Sequence, residues 1–169
     1  MTNLEPKSSF RPSLTLDLAE QQTSIPARLH SLAHAVQAAV RAMDENALRP
    51  VARRDAGLAF QPKTLLALLS YCYARQVYGS EDVEDLLLRD MDFRHLCHDE
   101  FPGARILRCF RRENREALRL CLLAALRFLA ERVQEAGIVT HVEEAHLAEQ
   151  ASRRITMAMF IDSMELDED

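Results

Sequence analysis

Glycine is scarce in this chain and occurs only at positions 57, 79, 103 and 137. Hairpin turns depend on residues that tolerate positive φ, so a sheet built from several hairpins would have almost nowhere to turn. Alanine, leucine, glutamate and arginine dominate the rest of the sequence, and all four favour helix. We therefore predict an all-α fold, a compact multi-helix bundle of about six helices.

Length and hydrophobicity limit the number of domains. The chain has 169 residues, 48% of them hydrophobic, which is enough for one core and too little for two. It has neither an apolar run of about 18 residues nor the pattern of a secretion signal, so we expect a cytoplasmic protein without membrane contact. The four cysteines, at 72, 97, 109 and 121, form no close pair and are predicted to be small core residues.

The apolar pattern divides the chain into three parts. Residues 1–23 show little periodicity and are predicted to be a flexible arm, residues 24–160 a single helical domain, and residues 161–169 an acidic tail. Within the domain we predict helices over 24–48, from Pro62 to near Gly79, and over 81–89, 92–97, 103–137 and 141–159.

Three residues mark predicted helix boundaries. Pro62 suits a first helical turn, Ser80 is a plausible N-cap, and Gly137 lies where a C-terminal glycine cap belongs. The helix that begins at Pro62 carries apolar side chains all around between Leu65 and Tyr73. We therefore predict that this helix is the central and most buried one.

Positive charge is concentrated between Arg105 and Arg119, in a chain whose net charge is -5. Two acidic blocks, 81–100 and 143–169, flank this segment. Most of its arginines recur every three or four residues and therefore share one helix face. Such a face can neutralise several phosphates, or it can be a solvated face paired with the acidic helix that begins at Glu81. The charge pattern leaves both interpretations open.

Several short motifs follow one another in a fixed order. They are Pro62-Lys63-Thr64-Leu65-Leu66, Tyr71-x-Tyr73, Gly79-Ser80, Val83-Glu84, Asp90, Phe93-Arg94-x-Leu96 and Pro102-Gly103-Ala104-Arg105-Ile106-Leu107-Arg108-Cys109-Phe110-Arg111-Arg112. Together they resemble the N-terminal helical domain of bacterial insertion-sequence transposases, the InsH-type domain that precedes an RNase H-like catalytic domain. The resemblance covers residues 60–139, roughly half of the chain.

The resemblance implies a non-catalytic DNA-binding module. In that family the helical domain is thought to bind the ends of the mobile element, and the following domain cuts and joins the DNA. We therefore expect a truncated or domesticated transposase whose partner is double-stranded DNA. Gly103, Ala104 and Ile106 replace the family's usual Asp, His and Thr, which removes a polar helix start that could contact phosphate or bases. Separately, Glu81 stands where the family usually has Arg.

A helix-turn-helix is the expected geometry, with residues 80–97 leading into a recognition helix from about Gly103. The predicted DNA contacts are Arg105, Arg108, Arg111, Arg112 and Arg115. The alternative is a protein-interaction module that self-associates or regulates a full-length transposase, with these arginines paired to carboxylates. The aliphatic stripe from Leu118 to Leu129 is predicted to be core, and a homodimer surface is its alternative.

Neither a catalytic site nor a metal site is predicted. His95, Cys97 and His98 lie close together in sequence, but no four-ligand spacing emerges, so we expect no metal and no cofactor. The segment Phe160-Ile161-Asp162-Ser163 faintly resembles the start of a transposase catalytic domain. One aspartate cannot hold two metal ions for phosphoryl transfer, so a helix end with an acidic tail is the preferred interpretation.

Overall fold

The computed structural model describes residues 32–51, 60–98 and 100–167, which belong to one compact unit, Leu32–Asp169. The predicted arm at 1–23 and the start of the first predicted helix lie outside the described residues. The helices are α1 (32–42), α2 (Pro62–Ala74), α3 (Ser80–Arg89), α4 (Met91–Leu96), α5 (Ala104–Glu113), α6 (Arg115–Glu135) and α7 (Glu144–Asp167), with one 3-10 turn at Glu45–Ala47.

The all-α prediction is confirmed, because the described ranges contain helices and no strand. Seven α-helices are present in these ranges, close to the predicted number. None of them combines the length and the apolar character that crossing a membrane requires.

Helix α2 is the centre of the bundle, as predicted. Every residue from Thr64 to Ala74 is buried, and the helix packs on α4, α5, α6 and α7. Pro62 occupies its first turn. The helix ends well before Gly79, because Gln76 adopts a left-handed φ of 65° and the Val77 N–H donates to the Cys72 carbonyl at 2.9 Å.

Asn114 divides the segment that was predicted to form one long or bent helix into α5 and α6. Its backbone leaves the helical region, with φ -121° and ψ 30°. Its buried side chain accepts a hydrogen bond from the Arg49 N–H at 2.7 Å and donates to the Arg49 carbonyl at 2.9 Å. A contact with a distant segment therefore fixes the break. α6 ends at Glu135, and Gly137 follows just beyond its end with a φ of 71°, which suits the predicted C-terminal glycine cap.

Helices α2, α6 and α7 supply much of the core. Leu118, Leu122 and Leu126 of α6 are buried, so the aliphatic stripe of this helix is core, with Leu129 half-buried at its end. Three of the four cysteines are buried, as predicted, and Cys109 is half-buried.

Helix α7 extends through most of the segment that was predicted to be an acidic tail. Its core-facing residues are Leu147, Ala151, Ile155, Ala158 and Asp162, which recur every three or four positions. The helix continues to Asp167 because Asp162, a carboxylate inside the core, has buried partners on two other helices. Those partners define the site described next.

Candidate nucleic-acid interface

Helix α5 carries four of the five predicted DNA contacts on two of its faces. Its buried face consists of Ala104, Leu107, Phe110 and Arg111. Arg105 and Arg112, seven residues apart, lie on the solvent face. Arg108 is half-buried between the two faces. The stripe of arginines seen in the sequence is therefore divided by the packing of α5 against its neighbours.

Arg111 is an interior residue with only 4% of its surface exposed. Its guanidinium donates to the Tyr73 hydroxyl at 2.8 Å and to the carboxylate of Asp162, with which it forms a buried ion pair. Burial disfavours the charged guanidinium, but Tyr73 and Asp162 favour it and raise the pKa of Arg111. The carboxylate of Asp162 therefore holds Arg111 inside the protein.

Asp162 also supplies the cap of helix α3. It accepts hydrogen bonds from the Ser80 N–H at 2.8 Å and the Ser80 hydroxyl at 2.7 Å. Ser80 was predicted to be the N-cap, but Gly79 occupies that position and Ser80 is the first helical residue. A carboxylate at a helix N-terminus is favoured by the helix dipole and by the free amide groups. Asp162 therefore joins α3, α5 and α7 at one point.

Arg108 is bound by carboxylates at the edge of the same cluster. Its guanidinium lies 3.0 Å from Glu81, 3.4 Å from Glu165 and 3.7 Å from Asp162, and its side chain is 19% exposed. Burial raises the pKa of Glu165, and repulsion from Asp162 and Glu81 adds to the rise, while Arg108 opposes it. Carboxylates thus outnumber arginines at this edge.

Arg105, near the start of α5, and Arg112 and Arg115, on either side of the break between α5 and α6, are directed toward solvent. Arg112 forms one ion pair, with Glu113 at 3.2 Å, and its side chain is 73% exposed. In the part of the chain that the structure describes, neither Arg105 nor Arg115 has an ion pair. These three arginines, which we call the junction arginines, are the predicted DNA contacts whose side chains are exposed and can contact an external anion.

The N-terminus of α5 is occupied by a side chain of the protein itself. Glu84 of α3 accepts a hydrogen bond from the Ala104 N–H at 2.7 Å. A free helix N-terminus can bind a phosphate through its amide groups and its dipole. Here a carboxylate takes that place, and it comes from the helix that the sequence predicted to lead into the recognition helix.

Histidines and cysteines do not form a metal centre in the described ranges. No group of three or more His, Cys, Asp and Glu side chains there is arranged to hold a metal ion. Cys97 is buried whereas His95 and His98 are exposed, so the neighbouring residues of this cluster point apart. Burial raises the pKa of the Cys97 thiol to about 12, which makes it a poor ligand at neutral pH.

Tyr73 and Asp162 belong to the site, and sequence reasoning assigned neither of them to it. Tyr73 lies in the predicted central helix, whereas Asp162 lies in the segment that was predicted to be an acidic tail. The available signal was a buried face of α7 that places an aspartate where an apolar residue is expected. This signal can be recognised only when the full length of α7 is known, and the predicted helix was shorter than α7.

Comparison with protein families, with curated proteins and with solved structures finds no match to this chain. The resemblance to the transposase N-terminal domain therefore depends on the sequence motifs alone.

Proposed function

We propose that the helical unit is a non-catalytic module that binds double-stranded DNA through the junction arginines. The observation that carries the proposal is that Arg105, Arg112 and Arg115 are exposed within the most arginine-rich segment of an acidic protein. Local rather than net charge decides which ligand a surface attracts. The motif resemblance supports the same assignment, with the ends of a mobile element as the expected target.

The packing of α5 gives its four predicted DNA contacts two different roles. Arg105 and Arg112 are separated by about 10.5 Å along the helix axis, so they can reach different phosphates. Arg108 and Arg111 are engaged by carboxylates and hold α5 against α3 and α7. In the proposal these two arginines position the DNA-binding helix and do not contact the DNA.

Fluorescence anisotropy with a mixed-sequence duplex across a salt series tests the proposal. We expect affinity to fall steeply with salt. Replacing the three junction arginines with alanine should reduce the magnitude of the slope of log K against log salt by about 2.7, since each phosphate contact contributes about 0.9. The matched control replaces the exposed Arg41, Arg89 and Arg132, which removes the same charge elsewhere. Absence of binding at low salt, or an equal effect of the control, would reject the proposal.

A protein-interaction module is the second candidate function, and one observation favours it. Helix α7 exposes Met157, Phe160 and Met164, with 48%, 59% and 53% of their surfaces accessible. Large apolar side chains grouped on one helix face are typical of surfaces that bind another protein. This candidate function does not require the arginines.

A further inference from the structure

A groove lies between the second half of α6, the first half of α7 and the segment that connects these helices. Its volume is about 560 Å³, which is within the range of about 300 to 1,000 Å³ that is usual for small-molecule sites. Its walls are mainly aliphatic, and none of the described residues that line it is Phe, Tyr or Trp. The largest aliphatic side chains are those of Leu126, Leu129, Val133, Val139, Val142 and Leu147.

The two ends of the groove differ in charge. On the α7 side the lining residues Glu143, Leu147, Gln150 and Arg154 recur every three or four positions, so they share one face. Glu143 directly precedes α7, and half-buried Arg154 lies about 16 Å further along the helix axis at 1.5 Å per residue. The groove therefore has a carboxylate at one end and a guanidinium at the other.

The protein uses only part of the Arg154 guanidinium. Nη1 donates to the Tyr73 and Ala74 carbonyls, each at 2.8 Å, at the C-terminal end of α2. Within the described residues Arg154 has no ion pair, and its Nε and Nη2 have no hydrogen bond. These two nitrogens are accessible, since neither is a buried atom without a partner. The α2 carbonyls thus hold in place a guanidinium with a free edge.

We propose that this groove binds a medium-chain fatty acid. Nε and Nη2 of Arg154 donate to the two carboxylate oxygens, which is the geometry that a guanidinium edge favours. The hydrocarbon chain lies between α6 and α7 and buries its apolar surface against the aliphatic walls. Glu143 sets the orientation, because it repels a carboxylate placed at the opposite end of the groove.

The charge of Arg154 decides the class of ligand. A neutral apolar occupant would remove water from the free edge of the guanidinium without supplying a counter-charge, which is unfavourable, and a cation would be repelled. A nucleic-acid phosphate could satisfy the arginine but would leave the aliphatic walls unused. The inference goes beyond the proposed function and is independent of it, because none of the junction arginines lines this groove.

Isothermal titration calorimetry of the whole protein with decanoate, below the concentration at which decanoate forms micelles, tests the proposal. We expect one site with a dissociation constant on the order of 100 μM. The alcohol 1-decanol has the same hydrocarbon chain and no carboxylate. It should bind at least about tenfold more weakly, because it lacks the charge-assisted hydrogen bonds.

Arg154→Gln should lower the affinity for decanoate to that for decanol and leave decanol binding unchanged. A purely structural role of Arg154 in capping α2 would weaken both ligands equally. Arg153→Gln is the matched control, because it removes the same charge from the adjacent residue. Arg153 is 75% exposed, pairs with Glu149 at 2.7 Å and does not line the groove, so decanoate binding should not change.

A second variant leaves the α2 cap intact. Ala130→Glu places a negative charge inside the groove and should weaken decanoate binding at least about tenfold. Ala124→Glu is its control, since Ala124 is also half-buried on α6 but does not line the groove. Circular dichroism checks that all variants fold.

Four results would overturn the inference. They are absence of saturable decanoate binding, equal affinity for decanoate and decanol, equal effects of Ala130→Glu and Ala124→Glu, and tighter binding of a hydrophobic tripeptide with a free C-terminal carboxylate. The last result would assign the groove to the end of a peptide. Salt-dependent DNA binding is measured separately and involves other residues, so failure of this inference leaves the DNA proposal intact.

Discussion

Asp162 and Arg111, 51 residues apart in the sequence, form an ion pair in the interior of the bundle. Each side chain is about 95% buried, with relative exposures of 4% and 5%. The pair joins α7 to α5, and the Ser80 hydrogen bonds of Asp162 extend the connection to α3. The orientation of the helix that carries two of the junction arginines therefore depends on a carboxylate from the last helix.

Replacing Asp162 with asparagine should destabilise the fold strongly. The variant leaves the Arg111 guanidinium buried without a counter-charge, which typically costs about 3–5 kcal/mol. Urea unfolding followed by circular dichroism measures the loss. Asp85→Asn is the control, because the Asp85–Arg89 pair is exposed and should be worth less than about 1 kcal/mol. Equal stability of the two variants would show that the buried pair has no special structural role.

Tyr73→Phe removes one hydrogen bond from Arg111 and leaves the packing of the ring in place. Burial raises the pKa of Tyr73, so the hydroxyl is neutral and accepts from the guanidinium at physiological pH. A lost hydrogen bond to a charged group costs about 1.5–3 kcal/mol. Tyr78→Phe is the matched control, since Tyr78 is only half-buried and has no hydrogen bond within the described residues. Thermal unfolding of the two variants gives the comparison.

Glu84→Ala should loosen the start of α5 without affecting the core. The substitution leaves the Ala104 N–H without its acceptor, and loss of a capping group costs about 0.5–2 kcal/mol. Glu84→Gln keeps an acceptor oxygen and should lose only the charge interaction with the helix dipole, about 0.3–1 kcal/mol. Hydrogen exchange of the first α5 amides reports the local effect. Unchanged protection in Glu84→Ala would contradict the assigned cap.

Glu165 gives the fold a pH dependence of known sign. Its pKa in the folded protein is raised, so the folded state binds the proton more tightly than the unfolded chain does. The stabilisation is complete below the unfolded value near 4.5 and is lost as pH rises through the folded pKa. Glu165→Gln should therefore increase the free energy of unfolding more at pH 7 than at pH 4. Urea unfolding curves at the two pH values give the comparison, and a larger effect at pH 4 would contradict the assigned shift.

The sequence identified the helices more reliably than their ends. Apolar periodicity located the central helix from Pro62, and the glycine at 137 located the end of α6. The break at Asn114 and the length of α7 were missed for one physical reason. Both depend on hydrogen bonds to residues far along the chain, Arg49 in the first case and Ser80 in the second. Local propensity contains no information about such partners.

By itself, the sequence determined the all-α class, the central helix and the concentration of arginine between residues 105 and 119, because each follows from local composition and period. Only the tertiary structure decided which arginines are accessible. Arg111 points into the core and Arg105 away from it because α5 packs one face against α2 and α3. Charge spacing along a helix is a one-dimensional property, whereas exposure depends on which neighbouring helices bring carboxylates to that face.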